Sequence, residues 1–342
     1  MSRRAAFGGI VVAGLAVVAT TGLGRAWWAL RAPYSGWQGE RVVVDLPRGM
    51  DAGSMLAALR EAGVIRSERL AKAWLVARGG GDRLRAGEYE FDHPLSTFEV
   101  VAKLTRGEVL LHPVTVPEGF DLEEVAARIA AAGFGQPEEL VEAFRSAEIV
   151  RDLDPEATDL EGYLFPDTYL LPRGEPPARI AEALVGRFKD LAGPDYAERA
   201  AAAGLTVREA VTLASLIERE TSVPEERRRI SRVFHNRLLG GMRLQCDPTV
   251  LYALKRAGRP VGRLTYADLD IESPWNTYRV VGLPPGPICN PGLESLNAAV
   301  EPERGNDLYF VASPTGGHRF SSDLESHLEA VRDWRRHQRA SR

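Results

Sequence analysis

The segment TVREAVTLASLIERET, residues 206–221, predicts a helix that is buried over most of its circumference. Thr206 and Glu209 have the spacing of a capping box, so the helix is expected to begin directly after the threonine. Its apolar side chains cover well over half of the helix surface. Two glutamates nevertheless occur in the last turn, Glu218 inside the apolar arc and Glu220 at its opposite margin. Because glutamate is rarely buried without a partner, these two side chains need an explanation.

The two glutamates point in directions roughly 160° apart, so they do not form a carboxylate pair that faces one cleft. One explanation is that each meets an arginine of a neighbouring element, such as the segment ERRRISR at 226–232. The other is that the helix holds a carboxyl group in apolar surroundings, which favours its protonated form and suits a general acid. Helix geometry alone does not show which of the two, Glu218 or Glu220, would be the general acid.

Composition excludes several classes of protein. A length of 342 residues indicates two or three domains, and a net charge of -4 gives no electrostatic reason to expect a nucleic-acid partner. Cys246 and Cys289 are too few for a closed zinc site or a disulfide framework, and their pairing stays open. The histidines at 235, 318 and 327 lack metal-ligand spacing, so we expect no metal and no cofactor.

The N-terminus predicts a membrane anchor. Twenty uncharged residues, 5–24, separate Arg4 from Arg25, and such a helix would span the ~30 Å of a bilayer core. A cleaved signal peptide is the alternative, but no convincing cleavage site follows, and Trp27 and Trp28 suit an interfacial anchor. We predict a cytoplasmic tip and transmembrane anchor over residues 1–30. The rest of the chain is then expected outside the cytoplasmic (inner) membrane.

The remaining sequence predicts an α+β protein with two further domains. A small α/β module is expected over 40–110 and a larger mixed α+β catalytic domain over 113–335. A strand-Pro-x-Gly-x-Asp-helix pattern occurs in both, once at Val44–Asp51 and again at Val114–Asp121. The recurrence indicates either two related strand–helix units or merely a common connection between a strand and a helix.

Two features follow the glutamate helix. The segment GLPPGPICNPG, 282–292, is expected to be an irregular loop because its prolines and glycines interrupt regular structure. Asn290 and Pro291 would then begin a helix over 292–300 as its cap and first-turn proline. The segment 306–322 alternates around a Pro/Gly turn and predicts a β-hairpin.

Four polar segments surround the glutamate helix in the sequence: LEGYLFPDTYLL (160–171), VFHNRLLGGMRLQCDPTVLYAL (233–254), SPWNTYRVVGLPPGPICNPGLESLNAAV (273–300) and LYFVASPTGGHRFSSDLESH (308–327). They supply hydroxyl, amide and aromatic groups with few charges, which suits carbohydrate better than phosphate. No P-loop and no GxGxxG motif is present.

Together these segments resemble the endolytic murein transglycosylase (YceG-like) family from about residue 40 to 330. The resemblance implies an anchored enzyme with a LysM-like module that cleaves internal MurNAc–GlcNAc bonds of peptidoglycan and leaves 1,6-anhydro-MurNAc ends. It implies peptidoglycan strands as the partner, with cell-wall synthases as further candidates. The family's catalytic glutamate in ASxxExET corresponds to Glu218. Trp275 stands where tyrosine is usual and Cys246 where a small hydroxyl residue is usual.

A single acid is consistent with that reaction. Ordinary glycosidases use two carboxylates, whereas in a lytic transglycosylase the 6-hydroxyl of the sugar attacks the anomeric carbon. One glutamate then protonates the leaving oxygen and afterwards removes the hydroxyl proton. Glu161, Asp167 and Asp247 remain candidate second carboxylates for a hydrolytic mechanism.

The polar segments also supply candidate substrate-binding residues, each of which has a turn or capping role as its alternative: Glu161, Tyr163, Asp167, Asn236, Gln245, Asp247, Thr249, Asn276, Tyr278 and Asn290. The competing hypothesis for the whole protein is a non-catalytic scaffold that binds peptidoglycan near a wall-synthesis complex. A Glu218 that is exposed, or salt-bridged to an arginine, would favour the scaffold.

Overall fold

The computed structural model describes residues 20–79, 84–259 and 262–340. The chain divides into two compact units. The first runs through His112 and includes Leu170–Gly174, and the second comprises Pro113–Tyr169 and the chain from Glu175 onward. Helices and small two-stranded sheets make up both, so the predicted α+β class is confirmed.

Among the described residues, the elements up to residue 106 are α1 (20–31), β1 (Val42–Leu46), α2 (Ala52–Glu61), α3 (Glu68–Ala77), β2 (Gly87–Phe91) and α4 (Thr97–Arg106). Strands β1 and β2 pair antiparallel, with Val44 opposite Tyr89. The helices cover the inward face of this sheet, where Leu46 and Phe91 are buried. Each such side chain contributes about 1.5–3 kcal/mol to the stability of the folded state when it is fully buried. The first unit therefore has a hydrophobic core of its own.

The elements from residue 111 onward are β3 (Leu111–Thr115), α5 (Leu122–Ala131), α6 (Pro137–Phe144), β4 (Thr168–Pro172), α7 (Pro177–Ala192), α8 (Tyr196–Ala202), α9 (Val207–Glu220), α10 (Arg227–Leu239), α11 (Asp247–Arg256), α12 (Leu293–Val300), β5 (Tyr309–Ala312), β6 (His318–Ser321) and α13 (Leu324–Ala340). The hairpin predicted over 306–322 is confirmed as the antiparallel pair β5–β6.

The glutamate helix is α9, and its predicted start is confirmed. Thr206 and Glu209 form the capping box through reciprocal hydrogen bonds. Every residue from Ala210 to Ile217 is buried, and the helix packs against α12, α10, α8 and α11. Helix α9 is therefore the centre of the second unit.

The recurring sequence pattern corresponds to the same local structure twice. Asp51 caps α2 and Asp121 caps α5, each after a strand and a turn. Gly49 and Gly119 both have positive φ, at 87° and 77°, a conformation that L-residues with a side chain rarely adopt. The two segments are therefore related strand–turn–helix units at the level of backbone geometry.

Most of the predicted membrane anchor, residues 5–24, lies outside the described residues. Within 20–79, 84–259 and 262–340, no single helix has both the length and the apolar composition to cross a membrane. The bent pair of α8 and α9 meets that test only when the two are taken together.

Candidate active site

Glu218 lies in the last turn of α9, where its side chain is 7% exposed. Oε2 accepts a hydrogen bond of 3.0 Å from the backbone N–H of Gly292. Oε1 lies 3.5 Å from Nη2 of Arg227, the first residue of α10. The end of α9, the start of α10 and the 282–292 loop therefore meet at this carboxyl group, and Gly119 of the 117–121 turn lies beside Cγ of Glu218.

The 282–292 loop is irregular, as predicted, and hydrogen bonds fix it to α9. The hydroxyl of Ser215 accepts a 3.1 Å bond from the N–H of Ile288, and the thiol of Cys289 donates to the carbonyl of Ser215. These contacts hold the N–H of Gly292 against Glu218. Both cysteines of the chain are buried and free, so they do not pair with each other.

Glu118 is the second carboxylate at this site. Its Oε2 lies 3.7 Å from the same Nη2 of Arg227, and its side chain is 52% exposed. Its carboxyl group also lies over Gly292, where an added Cβ would overlap Oε1. A side chain at position 292 would require the Glu118 carboxyl group to move. Burial, and after it the charge of Glu218, raises the pKa of Glu118, while Arg227 opposes the rise.

The surroundings of Glu218 are therefore less apolar than the sequence predicted. An arginine and a backbone donor reach it in addition to the apolar residues of α9. The spacing of Ser222 and Glu225 is that of a capping box, but the residue that precedes α10 is Glu226, which makes no side-chain capping bond. A 3₁₀ turn over Pro224–Glu226 precedes the helix, and the N–H of Val223 bonds to the hydroxyl of Thr221 instead.

Asn290 is fully buried and does not cap α12, contrary to the prediction; Gly292 is the capping residue. Its Oδ1 accepts bonds of 2.9 Å from the N–H groups of Gly162 and Leu164. Its Nδ2 donates to the carbonyl of Phe120 at 2.9 Å and to Oε1 of Glu161 at 3.3 Å. The side chain thus joins three distant segments beneath the site and has no surface for a ligand.

Glu161 is buried beside Asn290, and burial raises its pKa well above the usual range. Its carboxyl group accepts bonds from the N–H of Leu122 at 3.0 and 3.1 Å and from the hydroxyl of Tyr252 at 3.2 Å. It also lines a cavity of about 640 Å³ together with Tyr252 and Trp275. Glu218 does not line that cavity, so Glu161 lies in a cavity that is separate from the Glu218 carboxyl group.

Glu220 is partly buried on the other side of α9. The thiol of Cys246 donates to its carboxyl group, and Arg237 acts on it only through its charge. The explanation that each glutamate meets an arginine therefore fails for Glu220: within the described chain, no cation lies within ion-pair distance of it. Burial raises its pKa to about 7.

Asp247 and Tyr278 are brought together near Glu220. The hydroxyl of Tyr278 donates to Asp247 at 2.6 Å, and both line a cavity of about 710 Å³ with Tyr266 and Trp334. Gln245 is exposed close by in sequence, and it has a φ of 52°. Asp247, Tyr278 and Gln245 each keep side-chain surface that a ligand can contact.

The other predicted binding residues have structural contacts. Tyr163, Thr249 and Asn276 are fully buried, so direct contact with substrate is corrected to a framework role. Tyr163 donates to Asp154 at 2.7 Å, the hydroxyl of Thr249 donates to the Cys246 carbonyl at 2.6 Å, and Asn276 donates to the carbonyls of Leu269 and Ile271, both at 2.9 Å.

Asp167 and Asn236 make contacts within the protein but stay partly exposed, so a role in binding remains a prediction for them. Asp167 pairs with Arg187 at 2.6 Å, and the amide of Asn236 donates to the carbonyls of Gly305 and Asp307 at 3.2 and 2.9 Å.

Sequence reasoning missed Glu118, whereas Arg227 belongs to the segment 226–232 that was expected to supply an arginine partner, and this expectation is confirmed for Glu218. The recurring pattern has one variable position between its proline and its glycine. Glu118 occupies that position in the second copy and Arg48 occupies it in the first, and this difference in charge was the available signal for Glu118. Arg227 was included only as part of an arginine-rich segment. Nothing in the sequence shows that the 117–121 turn lies against the end of α9.

Comparisons with known proteins agree with this architecture. The model of the YceG-like family matches residues 44–333. An endolytic murein transglycosylase of Bacillus subtilis is 33% identical over 306 residues, 84% of this chain and 83% of that protein. A Streptococcus pneumoniae protein of the same name is 30% identical over 317 residues, and the match spans 84% of this chain but only 57% of that protein.

A crystal structure of a yceG-like protein from Listeria monocytogenes is similar to the present chain as well. It has a TM-score of 0.57 and 32% identity, and it covers 85% of this chain and 99% of that one.

Proposed function

The chain belongs to the YceG-like family, and we propose that it is a membrane-anchored endolytic transglycosylase of peptidoglycan. Its relatives in Bacillus subtilis and Streptococcus pneumoniae carry the name endolytic murein transglycosylase. In this proposal the enzyme cleaves internal MurNAc–GlcNAc bonds of glycan strands without consuming water. The observation that carries it is the buried carboxyl group of Glu218, held at the end of α9 by the N–H of Gly292.

Glu218 is the proposed catalytic residue. Its protonated carboxyl group donates a proton to the glycosidic oxygen, and the bond between that oxygen and C1 of MurNAc breaks. The 6-hydroxyl of the same MurNAc forms the new bond to C1 and closes the 1,6-anhydro ring. The resulting carboxylate takes the hydroxyl proton, so Glu218 is protonated again at the end of the cycle.

The contact between Glu218 and Arg227 is the kind that would favour the scaffold hypothesis. Two observations weaken this support for the scaffold hypothesis. The separation of 3.5 Å is longer than a charge-assisted hydrogen bond, and the same nitrogen lies near Glu118. One guanidinium shared by two carboxylates does not neutralise both. The names of the relatives also favour the enzyme.

The candidate second carboxylates are engaged elsewhere. Glu161 accepts hydrogen bonds from Leu122, Tyr252 and Asn290, and Asp167 and Asp247 are bound to Arg187 and Tyr278. These three therefore do not support hydrolysis, which needs a carboxylate to activate water, whereas Glu118 lies near Glu218 and leaves the choice between the two reactions to the product assay. Asp247, Tyr278 and Gln245 are proposed to contact the strand, with the aromatic rings of the nearby cavity as stacking surfaces.

The membrane attachment is part of the proposal. Residues 5–24 would anchor the chain, and residues 25–342 would lie on the outer side of the cytoplasmic membrane. Intact mass of the mature protein tests this directly, since a mature start after residue 20 would indicate a cleaved signal peptide. The unit that precedes residue 113 would serve as a LysM-like module, and cell-wall synthases are proposed partners.

The activity itself is tested with the full chain purified in detergent. The protein is incubated with isolated glycan strands, and the product masses are recorded. Anhydro ends are lighter by one water than hydrolytic ends. Strands shortened with anhydro ends support the proposal. Intact strands that remain bound to the protein would support the scaffold, and hydrated ends would indicate a glycosidase.

A further inference from the structure

Three arginines without an anionic partner line one cavity of the second unit. Arg263 lies in the loop between α11 and α12, and Arg335 and Arg339 lie one turn apart on α13. All three are exposed, and they line the cavity of about 710 Å³ that Asp247 and Tyr278 also line. Within the part of the chain that the structure describes, none of the three guanidinium groups forms a salt bridge or a hydrogen bond.

The carboxylates around this cavity have other partners. Asp247 accepts a hydrogen bond from Tyr278 at 2.6 Å, and Asp268 is bound to Arg259 at 3.1 Å. Asp333 of α13 pairs with two arginines that do not line the cavity. The charged side chains of the lining are three arginines and one aspartate, so positive charge is in excess by two. A cavity lined by one sign of charge attracts ions of the opposite sign.

Aromatic rings lie beside the three arginines. Tyr266 is 83% exposed, and Trp334 directly precedes Arg335 on α13; both line the same cavity. Such rings present a flat apolar face together with a polar group, which suits stacking on a sugar. The guanidinium group of arginine is planar, and its N–H donors form a fork that matches a carboxylate. Together these groups suit a saccharide that carries carboxylates better than a neutral one.

The strand that the proposed enzyme cleaves is a saccharide of this kind. Each MurNAc has a lactyl carboxyl group, which is ionised in a peptide-free strand and amide-linked to a stem peptide in the other strands. The carboxylates of the stem peptide then replace it. The cavity lies on the side of α9 that carries Glu220, since the charge of Asp247 acts on that carboxyl group. An endolytic enzyme holds its strand on both sides of the cleaved bond, so a binding site apart from Glu218 is consistent with this reaction.

We propose that Arg263, Arg335 and Arg339 form a subsite that binds carboxylates of the glycan strand away from the cleaved bond. This inference rests on the proposed function for the identity of the strand. The arginines bind through charge-assisted hydrogen bonds, while Tyr266 and Trp334 stack on the adjacent sugars. No bond forms or breaks in this subsite. The arginines therefore lower KM and leave kcat unchanged.

The test compares the binding of three kinds of strand of equal length. The first carries stem peptides, and the second has been freed of peptides by an amidase and carries lactyl carboxylates. The third is the second with its lactyl carboxyl groups converted to neutral methylamides. Binding is measured with the full chain in detergent and with Glu218→Gln as the background, so that the strands stay intact.

The variant replaces Arg263, Arg335 and Arg339 by glutamine together. One exposed ion pair changes an equilibrium constant by about 1.4–5-fold, so the loss of three should weaken the binding of a carboxylate strand by about tenfold at low ionic strength. Binding of the methylamide strand should not change. With Glu218 present, KM for the carboxylate strand should rise by the same factor at constant kcat. Because the three side chains make no hydrogen bond or salt bridge within the described chain, the melting temperature should stay that of the parent.

Two further variants separate a local subsite from a general effect of charge. Arg332→Gln removes an exposed arginine of the same helix that does not line the cavity, and it should leave the binding of every strand unchanged. Lysine at the three positions keeps the charge without the planar fork and should recover part of the affinity. The two carboxylate strands identify the source of the bound group. A loss confined to peptide-bearing strands assigns the subsite to stem peptides, and a loss with both assigns it to the muramyl carboxylate.

The outcomes separate this inference from the proposed function. Equal binding of carboxylate strands by the triple glutamine variant and its parent would overturn the inference. An equal loss with the methylamide strand, or with Arg332→Gln, would overturn it as well, because either result indicates a general effect rather than recognition of carboxylates. Absence of anhydro ends from the wild-type chain, with the arginine-dependent binding retained, would overturn the proposed function alone, and the subsite would then belong to a strand-binding scaffold.

Discussion

Glu220→Gln should make the protein more stable at alkaline pH. Burial raises the pKa of this carboxyl group from its ordinary value of 4.5 to about 7, and the group has no cation partner within ion-pair distance among the described residues. A carboxyl group with a raised pKa favours the folded state while it is protonated. That contribution is complete below about pH 4.5 and is lost as the pH rises through about 7.

The difference between 4.5 and about 7 corresponds to about 3 kcal/mol in the free energy of unfolding. This is an upper figure, because part of the side chain contacts solvent. Glutamine keeps an oxygen for the thiol of Cys246 but does not ionise. Relative to the wild type, the variant should therefore gain up to about 3 kcal/mol between pH 4.5 and pH 8.

Urea-induced unfolding followed by circular dichroism at the two pH values measures this gain. Glu138→Gln serves as the control, since an exposed carboxylate of α6 should give the same small difference at both. A Glu220→Gln variant that is less stable than the wild type by an equal amount at both pH values would refute the reasoning. Such a result would mean that the glutamate is ionised and paired in the folded protein.

Three more predictions concern the site and the first unit. Glu218→Gln should lower the formation of anhydro ends by about 10²–10⁴-fold, because the amide cannot donate and recover a proton. The melting temperature should stay near that of the wild type. A rate near wild type in the product assay would contradict the assignment. Asn290→Ala should lower the free energy of unfolding by about 2–5 kcal/mol, since the N–H groups of Gly162 and Leu164 lose their buried acceptor. Urea titration measures this loss, and a value below about 1 kcal/mol would show that water replaces the amide. Deletion of 40–110 should weaken sedimentation with sacculi and spare the cleavage of short soluble strands; a truncated protein that is folded by circular dichroism yet inactive would show that the first unit helps to build the active site.

Local patterns predicted the elements that carry the site. The capping box of α9, the buried arc that follows it and the proline-rich loop all depend on residues close together in the sequence. The same is true of the paired strand–turn–helix units, whose glycines at 49 and 119 mark the turns. For these features, periodicity and turn chemistry were sufficient.

The partners of the functional side chains could not be predicted in the same way. Asn290 was assigned as a cap because it precedes a proline and a helix, but its hydrogen bonds reach Gly162 and Phe120, more than 100 residues away. Glu118 and Arg227 likewise acquire their role only when two distant segments meet at the end of α9. Long-range packing decided these contacts, and no local pattern specifies it.

The hydrogen bonds of the 282–292 loop also affect how this segment tolerates change in its length. Surface loops usually accept insertions, since few of their backbone groups are committed. Here the N–H groups of Ile288, Asn290 and Gly292 are each bound to a different partner: Ser215, Phe120 and Glu218. One inserted residue between Ile288 and Gly292 would shift at least one of these donors away from its acceptor. The segment is therefore expected to vary in side chains among relatives but to keep its length as strictly as a central strand of a sheet.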